Sequence, residues 1–121
     1  MNGAQVRVLR IVPILTVTDL DAASELYVGA LGLEEVMRLG WVTTLNNPAT
    51  GHQLSLMTTD ATAPCNPDVS VEVDDVDAAY NAARTAGAEI VHELQDEDWG
   101  VRRFFFRDPA GNVLNVLCHQ R

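Results

Sequence analysis

The chain contains itself twice. Val17-Thr18-Asp19-Leu20-Asp21-Ala22-Ala23 returns as Val73-Asp74-Asp75-Val76-Asp77-Ala78-Ala79, and Gly32-Leu33-Glu34-Glu35-Val36 returns as Gly87-Ala88-Glu89-Ile90-Val91. A third pair follows: Asn47-Pro48-Ala49-Thr50-Gly51-His52-Gln53-Leu54-Ser55-Leu56 matches Asp108-Pro109-Ala110-Gly111-Asn112-Val113-Leu114-Asn115-Val116, one residue shorter in the turn. A unit of roughly 55–60 residues is marginal alone, so the copies are expected to be halves of one domain over residues 1–121. Module one covers about 10–58, a Thr/Ala/Pro-rich linker 59–67, and module two about 68–118. Equivalent positions should then face each other across a pseudo-two-fold axis.

Within each copy the hydrophobic period switches between strand and helix. Residues 11–17 and 68–73 read as strands, the second alternating Asp68, Ser70, Glu72 against Val69, Val71, Val73. Leu20, Ala23, Leu26, Tyr27, Ala30 and Leu31 recur at helical spacing, as do Val76, Ala79, Tyr80, Ala83 and Ala86. Asp19 or Asp21 and Asp75 or Asp77 offer N-caps, while Gly32 and Gly87 stand where a helix end needs positive φ. Strands are expected near 34–39, 41–46 and 53–58, and again near 89–94, 101–106 and 112–118. The turns at Asn47-Pro48 to Gly51 and Asp108-Pro109 to Gly111 join the last two strands of each set. The fold class is therefore α+β: two βαβββ modules paired about the pseudo-two-fold axis, each giving a curved mixed sheet around a cleft.

Charge and composition exclude several functions. Eight Arg, no Lys and seventeen acidic residues give a net charge of −9, which repels nucleic-acid backbones and anionic membranes. The lack of lysine removes Schiff-base chemistry by a side-chain amine. The apolar stretch Ile11 to Val17 mimics a signal sequence, but its repeat partner lies in the chain interior, so it belongs to the fold. Cys65 and Cys118 read as reduced thiols, and a cytoplasmic location is expected.

The βαβββ repeat, Val17-Thr18-Asp19-Leu20 leading into a helix that ends Leu26-Tyr27-Val28-Gly29-Ala30-Leu31-Gly32-Leu33, and the closing Phe104-Phe105-Phe106-Arg107-Asp108-Pro109-Ala110-Gly111-Asn112-Val113-Leu114-Asn115-Val116-Leu117 together resemble the vicinal oxygen chelate superfamily. That superfamily includes glyoxalases, extradiol dioxygenases, fosfomycin-modifying enzymes and bleomycin-binding resistance proteins. The resemblance implies a metal address on the first and last strands of each module, which falls here on Val12, Ser55, Asp68 and Asn115. Only Asp68 supplies a donor of the kind transition-metal sites are built from, so no metal and no cofactor are expected. The opening Val12-Pro13-Ile14-Leu15-Thr16-Val17-Thr18-Asp19-Leu20 resembles the metal-free, bleomycin-resistance-like members. These bind a small molecule across a homodimer.

Strand parity gives the expected lining of the inter-module cleft: Val12, Ile14 and Thr16; Gln53, Ser55 and Met57; Asp68, Ser70 and Glu72; Val113, Asn115 and Leu117. Trp41 and Trp99 begin equivalent hairpins, where they either stack on a ligand or cover a core edge. One of Arg102 and Arg103 should face the cleft, Arg103 being the candidate for ligand binding, and the other should pair with acidic neighbours. His52, His92 and His119 are expected to be exposed or partly buried and outside the site. Glu93, Asp96, Glu97 and Asp98 read as a solvated acidic loop or as a cleft mouth. The expected function is metal-independent binding of a small organic molecule by a homodimer. The alternatives are a lyase, isomerase or dioxygenase using Asp68 as base or an unrecognised metal site, and an interaction module with no ligand.

Overall fold

The computed structural model describes residues 6–120, which form eight strands and two helices of a mixed α+β fold. In order they are β1 (Val8–Thr16), α1 (Leu20–Leu31), β2 (Glu34–Leu39), β3 (Val42–Asn46), β4 (Gln53–Met57), β5 (Val69–Val73), α2 (Val76–Thr85), β6 (Glu89–Asp96), β7 (Val101–Arg107) and β8 (Val113–His119). The βαβββ repeat is present as read. β1 starts three residues earlier than its hydrophobic run.

Two compact units divide the described residues, one spanning Val12–Asn66 and the other comprising residues 6–11 together with 67–120. In the first unit the strand order is β2-β3-β4-β1, with β1 parallel to β4 and the other pairs antiparallel. The second repeats this arrangement as β6-β7-β8-β5, with β5 parallel to β8. The start of the chain joins that second unit: Arg7 receives the Asp74 N–H on its carbonyl and donates its own N–H to the Asp74 carboxylate.

Each helix covers one face of its own sheet. α1 lays Leu20, Ala23 and Tyr27 over Leu45, Leu54 and Leu56; α2 lays Val76, Ala79, Tyr80 and Ala83 over Val73, Phe104 and Val116. These are the alternate strand positions opposite the expected lining set. Asp19 and Asp75 accept the N–H of Ala22 and Ala78 and so cap both helices, and Gly32 ends α1 at φ 66°. The hairpin turns are also twins. The Asn47 side chain takes the N–H groups of Ala49 and Thr50, and that of Asp108 takes those of Ala110 and Asn112.

The segment read as a linker is folded onto the first unit. Asp60 is 1 % exposed and its carboxylate accepts both the N–H and the hydroxyl of Thr62, while Asn66 donates to Thr16 and to the Thr58 carbonyl. Both cysteines are free thiols, and no helix among the described residues is long and apolar enough to cross a membrane.

Candidate functional site

In the Val12–Asn66 unit, the sheet face away from α1 is mostly apolar. Ile14, Val42 and Met57 form a buried cluster with Leu39 and Trp41 packed against it, and Val12 is buried as well. Trp41 thus sits at the edge of an apolar cluster. The polar members are Ser55, whose hydroxyl is hydrogen-bonded to that of Thr44 at 2.8 Å, and Gln53, whose amide donates to Asn46. Ser55 is spoken for by its neighbour on β3.

The equivalent face of the other unit is polar at its centre. Direct cross-strand partners run Ser70, Asn115, Phe105, His92 over β5, β8, β7 and β6. Asn115 is 8 % exposed; its Nδ2 donates to the Ser70 hydroxyl at 2.9 Å, and its Oδ1 is buried with no donor among the described residues. A buried acceptor left without a donor costs about 1–3 kcal/mol, so such an atom in a folded protein calls for a reason.

Next to it lies a buried ionic group. Arg103 Nε donates to Glu97 Oε2 at 2.5 Å, and His92 Nε2 contacts the same oxygen at 3.0 Å; the three side chains are 3 %, 8 % and 8 % exposed. The guanidinium lies over the rings of Trp99 and Phe105, 4.9 and 4.8 Å from their centroids. Planar stacking with one carboxylate suits arginine, since its weakly hydrated fork tolerates burial where an ammonium would not. Arg102, one residue earlier, points the other way to Asp77 and Asp96 at the surface. Its hydrogen bonds hold the Asp77 carboxyl below the ordinary aspartate value. Arg103 is therefore the inward member of the pair, and its charge is matched by Glu97 within the protein.

Two of the sequence expectations change here. His92 is buried and belongs to this group, and Glu97 is not part of a solvated loop. For His92 the reason is a β-bulge: Ile90 pairs with Phe106 but His92 with Phe105, so the two face opposite sides of the sheet where strict alternation would give them the same side. The same bulge occurs in the first module between Glu35 and Met37, which are the repeat equivalents of Ile90 and His92. His52 is exposed, and His119, with Nδ1 2.9 Å from Glu72, is half exposed. Arg10 pairs with the other Glu72 oxygen. Tyr80 packs edge-on to Phe104, and its hydroxyl reaches Glu93.

Asp68 is exposed, and its carboxylate accepts the Val113 N–H at 2.9 Å while its own N–H donates to the Val113 carbonyl. It thereby closes the open end of the β5–β8 ladder. Val12, Ser55, Asp68 and Asn115, the positions a divalent ion would need, do not fit one: they hold an alkyl group, a hydroxyl paired to Thr44, a carboxylate paired to backbone and an amide. Among the described residues no group of three or more His, Cys, Asp or Glu side chains is placed to hold a metal ion.

Comparison with known proteins bears on the fold and the family. No curated protein matches the chain. Among solved structures, the NAD-dependent benzaldehyde dehydrogenase from Legionella pneumophila is 18% identical, covering 91% of this chain and 99% of its own, with a TM-score of 0.77. A glyoxalase/bleomycin resistance protein/dioxygenase superfamily member from Vibrio splendidus 12B01 is 20% identical over 90% and 97%, with a TM-score of 0.69. Methylmalonyl-CoA epimerase from Mycobacterium tuberculosis is 21% identical over 100% and 93%, with a TM-score of 0.70. At these identities the likeness is one of fold. The family model for glyoxalase/bleomycin resistance protein/dioxygenase matches residues 7–116, and the chain belongs to that superfamily.

Proposed function

We propose that this protein binds a small organic molecule without a metal ion, using the sheet faces that the helices leave uncovered. One observation carries the reading: the positions where a superfamily metal would sit carry Val12, Ser55, Asp68 and Asn115, an alkyl group, a hydroxyl paired to Thr44, a carboxylate paired to backbone and a neutral amide, so that one carboxylate is the only charged donor among them. These faces carry closely packed apolar and aromatic side chains, including Ile14, Met57 and Phe105, all buried, with a few fixed polar groups. That is the usual make-up of a small-molecule site. Catalysis through Asp68 as base is the weaker reading, because its carboxylate serves the strand ladder. A homodimer accompanies the binding role.

Elemental analysis of purified protein tests the metal-free part, with well under one transition-metal ion per chain expected. A thermal-shift screen of aromatic, cationic and anionic compounds tests the binding part, because a ligand that prefers the native state raises the melting temperature. Tightly held stoichiometric metal, removed only with loss of the fold, would end the first claim. A screen in which nothing stabilises the protein would end the second.

A further inference from the structure

We infer that this protein has a second small-molecule site, on the helix side of the second unit's sheet, which takes a primary ammonium carrying a phenyl-sized apolar group. It is independent of the sheet-face reading above. A surface pocket of about 310 Å³ opens where α2 ends, lined by residues 86–89 and 106–109. That volume lies at the small end of the range, about 300–1,000 Å³, that ligand sites span. The repeat explains why it is there. In module one Leu33 packs on the buried cluster of Leu20, Leu45 and Leu56, and Leu45 is 0 % exposed. Module two carries Ala88 at the position of Leu33 and Phe106 at that of Leu45. The short side chain leaves the Phe106 ring only half-buried against the core under α2.

The charges around the pocket favour a cation. Glu89 and Asp108 both line it, against the single Arg107. Arg107 ion-pairs with Glu89 at the surface, an exposed pair that contributes little, so the balance left is one negative charge. Asp108 supplies it: the Asn112 side-chain amide and then backbone N–H groups hold its carboxyl below the ordinary aspartate value. α2 ends at Thr85 with Ala86 as its C-cap, which puts the negative end of the helix dipole beside the same pocket. An alkyl ammonium is charged at neutral pH, as lysine is. The Phe106 ring and the Ala88 methyl suit a flat apolar group next to that charge. A carboxylate ligand would meet two like charges and the helix end.

NMR titration of the isotope-labelled intact protein in low-salt buffer tests this with three probes of one size: phenethylamine, its neutral isostere 2-phenylethanol, and phenylacetate. The amine should saturate with a dissociation constant of about a millimolar or tighter, what so few atoms deliver, and its amide shifts should concentrate at residues 86–89 and 106–109. Phenylacetate should bind at least about tenfold more weakly, with the alcohol between. Ala88→Leu restores the side chain that module one has at this place and fills the pocket, so it should abolish binding while keeping or raising the melting temperature. Glu89→Gln, at a side chain 62 % exposed, leaves the fold alone and carries the test should Ala88→Leu fail to fold. It should weaken the amine about three- to tenfold and strengthen phenylacetate, because Arg107 is released. Any of four outcomes overturns the inference: no saturable shifts with the amine, phenylacetate binding as tightly as the amine, a folded Ala88→Leu variant that binds normally, or a Glu89→Gln variant with unchanged preference. Amine shifts that concentrate instead on Ile14, Met57 and Phe105 overturn it too, and leave the sheet-face reading standing.

Discussion

Glu97 is the single side chain whose loss should cost most. It neutralises a guanidinium that is 3 % exposed and also bonds the imidazole of His92, all in a region water scarcely reaches. Removing one partner of a buried pair typically costs about 3–5 kcal/mol, because the other charge stays behind. Glu97→Ala should therefore lower unfolding stability by about 3 kcal/mol or more in urea melts, while Arg102→Ala, whose pairs with Asp77 and Asp96 are exposed, should cost no more than about 1 kcal/mol. Equal effects would mean that the burial of Arg103 carries no weight. Acid acts on different residues. Asp108 is held below the ordinary 3.8 first by the side-chain amide of Asn112 and then by backbone N–H groups, and Asp77 is lowered chiefly by Arg102. A depressed folded pKa gives stability that is present above the unfolded value and is lost as pH falls through the folded one. Asp108→Asn keeps an acceptor oxygen but cannot ionise, so the stability gap between wild type and variant should close as pH drops below 3.8; a gap constant through the acid range would contradict the assignment.

At the scale of elements, the two modules invite paired tests. Asp19 and Asp75 cap equivalent helices with equivalent bonds to Ala22 and Ala78 at 3.0 Å. Asp→Ala at each should cost about 1 kcal/mol, measured by denaturant unfolding. Replacing Gly32, at φ 66°, with Ala should cost a similar amount by forcing a Cβ into the left-handed region. These features were legible in the sequence because caps and turns are local chemistry, and the repeat states each of them twice. The helix-facing sets on β4, β5 and β8 were legible because those strands alternate without interruption. His92 was not. Its position depends on the bulge after Ile90, and no residue in Ile90-Val91-His92 announces an extra residue in a strand. Glu97 was hidden differently, since an acidic run after a strand looks solvated until Arg103 is known to face inward. Nor did the sequence distinguish Asp68 closing a strand ladder from Asp68 as a free carboxylate, because both begin with the same Asp after Pro67.

For the whole molecule, charge and apolar exposure pull against each other. Leu9 and Ile11 are 54 % and 61 % exposed, and Leu26 and Leu31 on α1 are 67 % and 58 % exposed, more apolar surface than a lone domain ordinarily shows at isolated points. α2 offers a contrast, with Ala82 and Arg84 standing at the repeat equivalents of Leu26 and Val28. Association of two copies would cover such residues, but each copy carries −9. Two such charges about 30 Å apart in water repel by roughly 11 kcal/mol unscreened, whereas at physiological ionic strength a Debye length of about 8 Å removes most of that. The proposed homodimer should therefore tighten with salt. Sedimentation equilibrium at about 20 mM and about 200 mM NaCl should show the dissociation constant falling by an order of magnitude or more, the opposite of an interface held by ion pairs. Leu26→Glu and Ile11→Glu, which add charge where apolar contact is expected, locate the interface: whichever shifts the equilibrium to monomer without lowering the melting temperature of the monomer marks the covered face. A monomer at high micromolar concentration in both salts would show that the exposed leucines are covered by nothing of this chain's own.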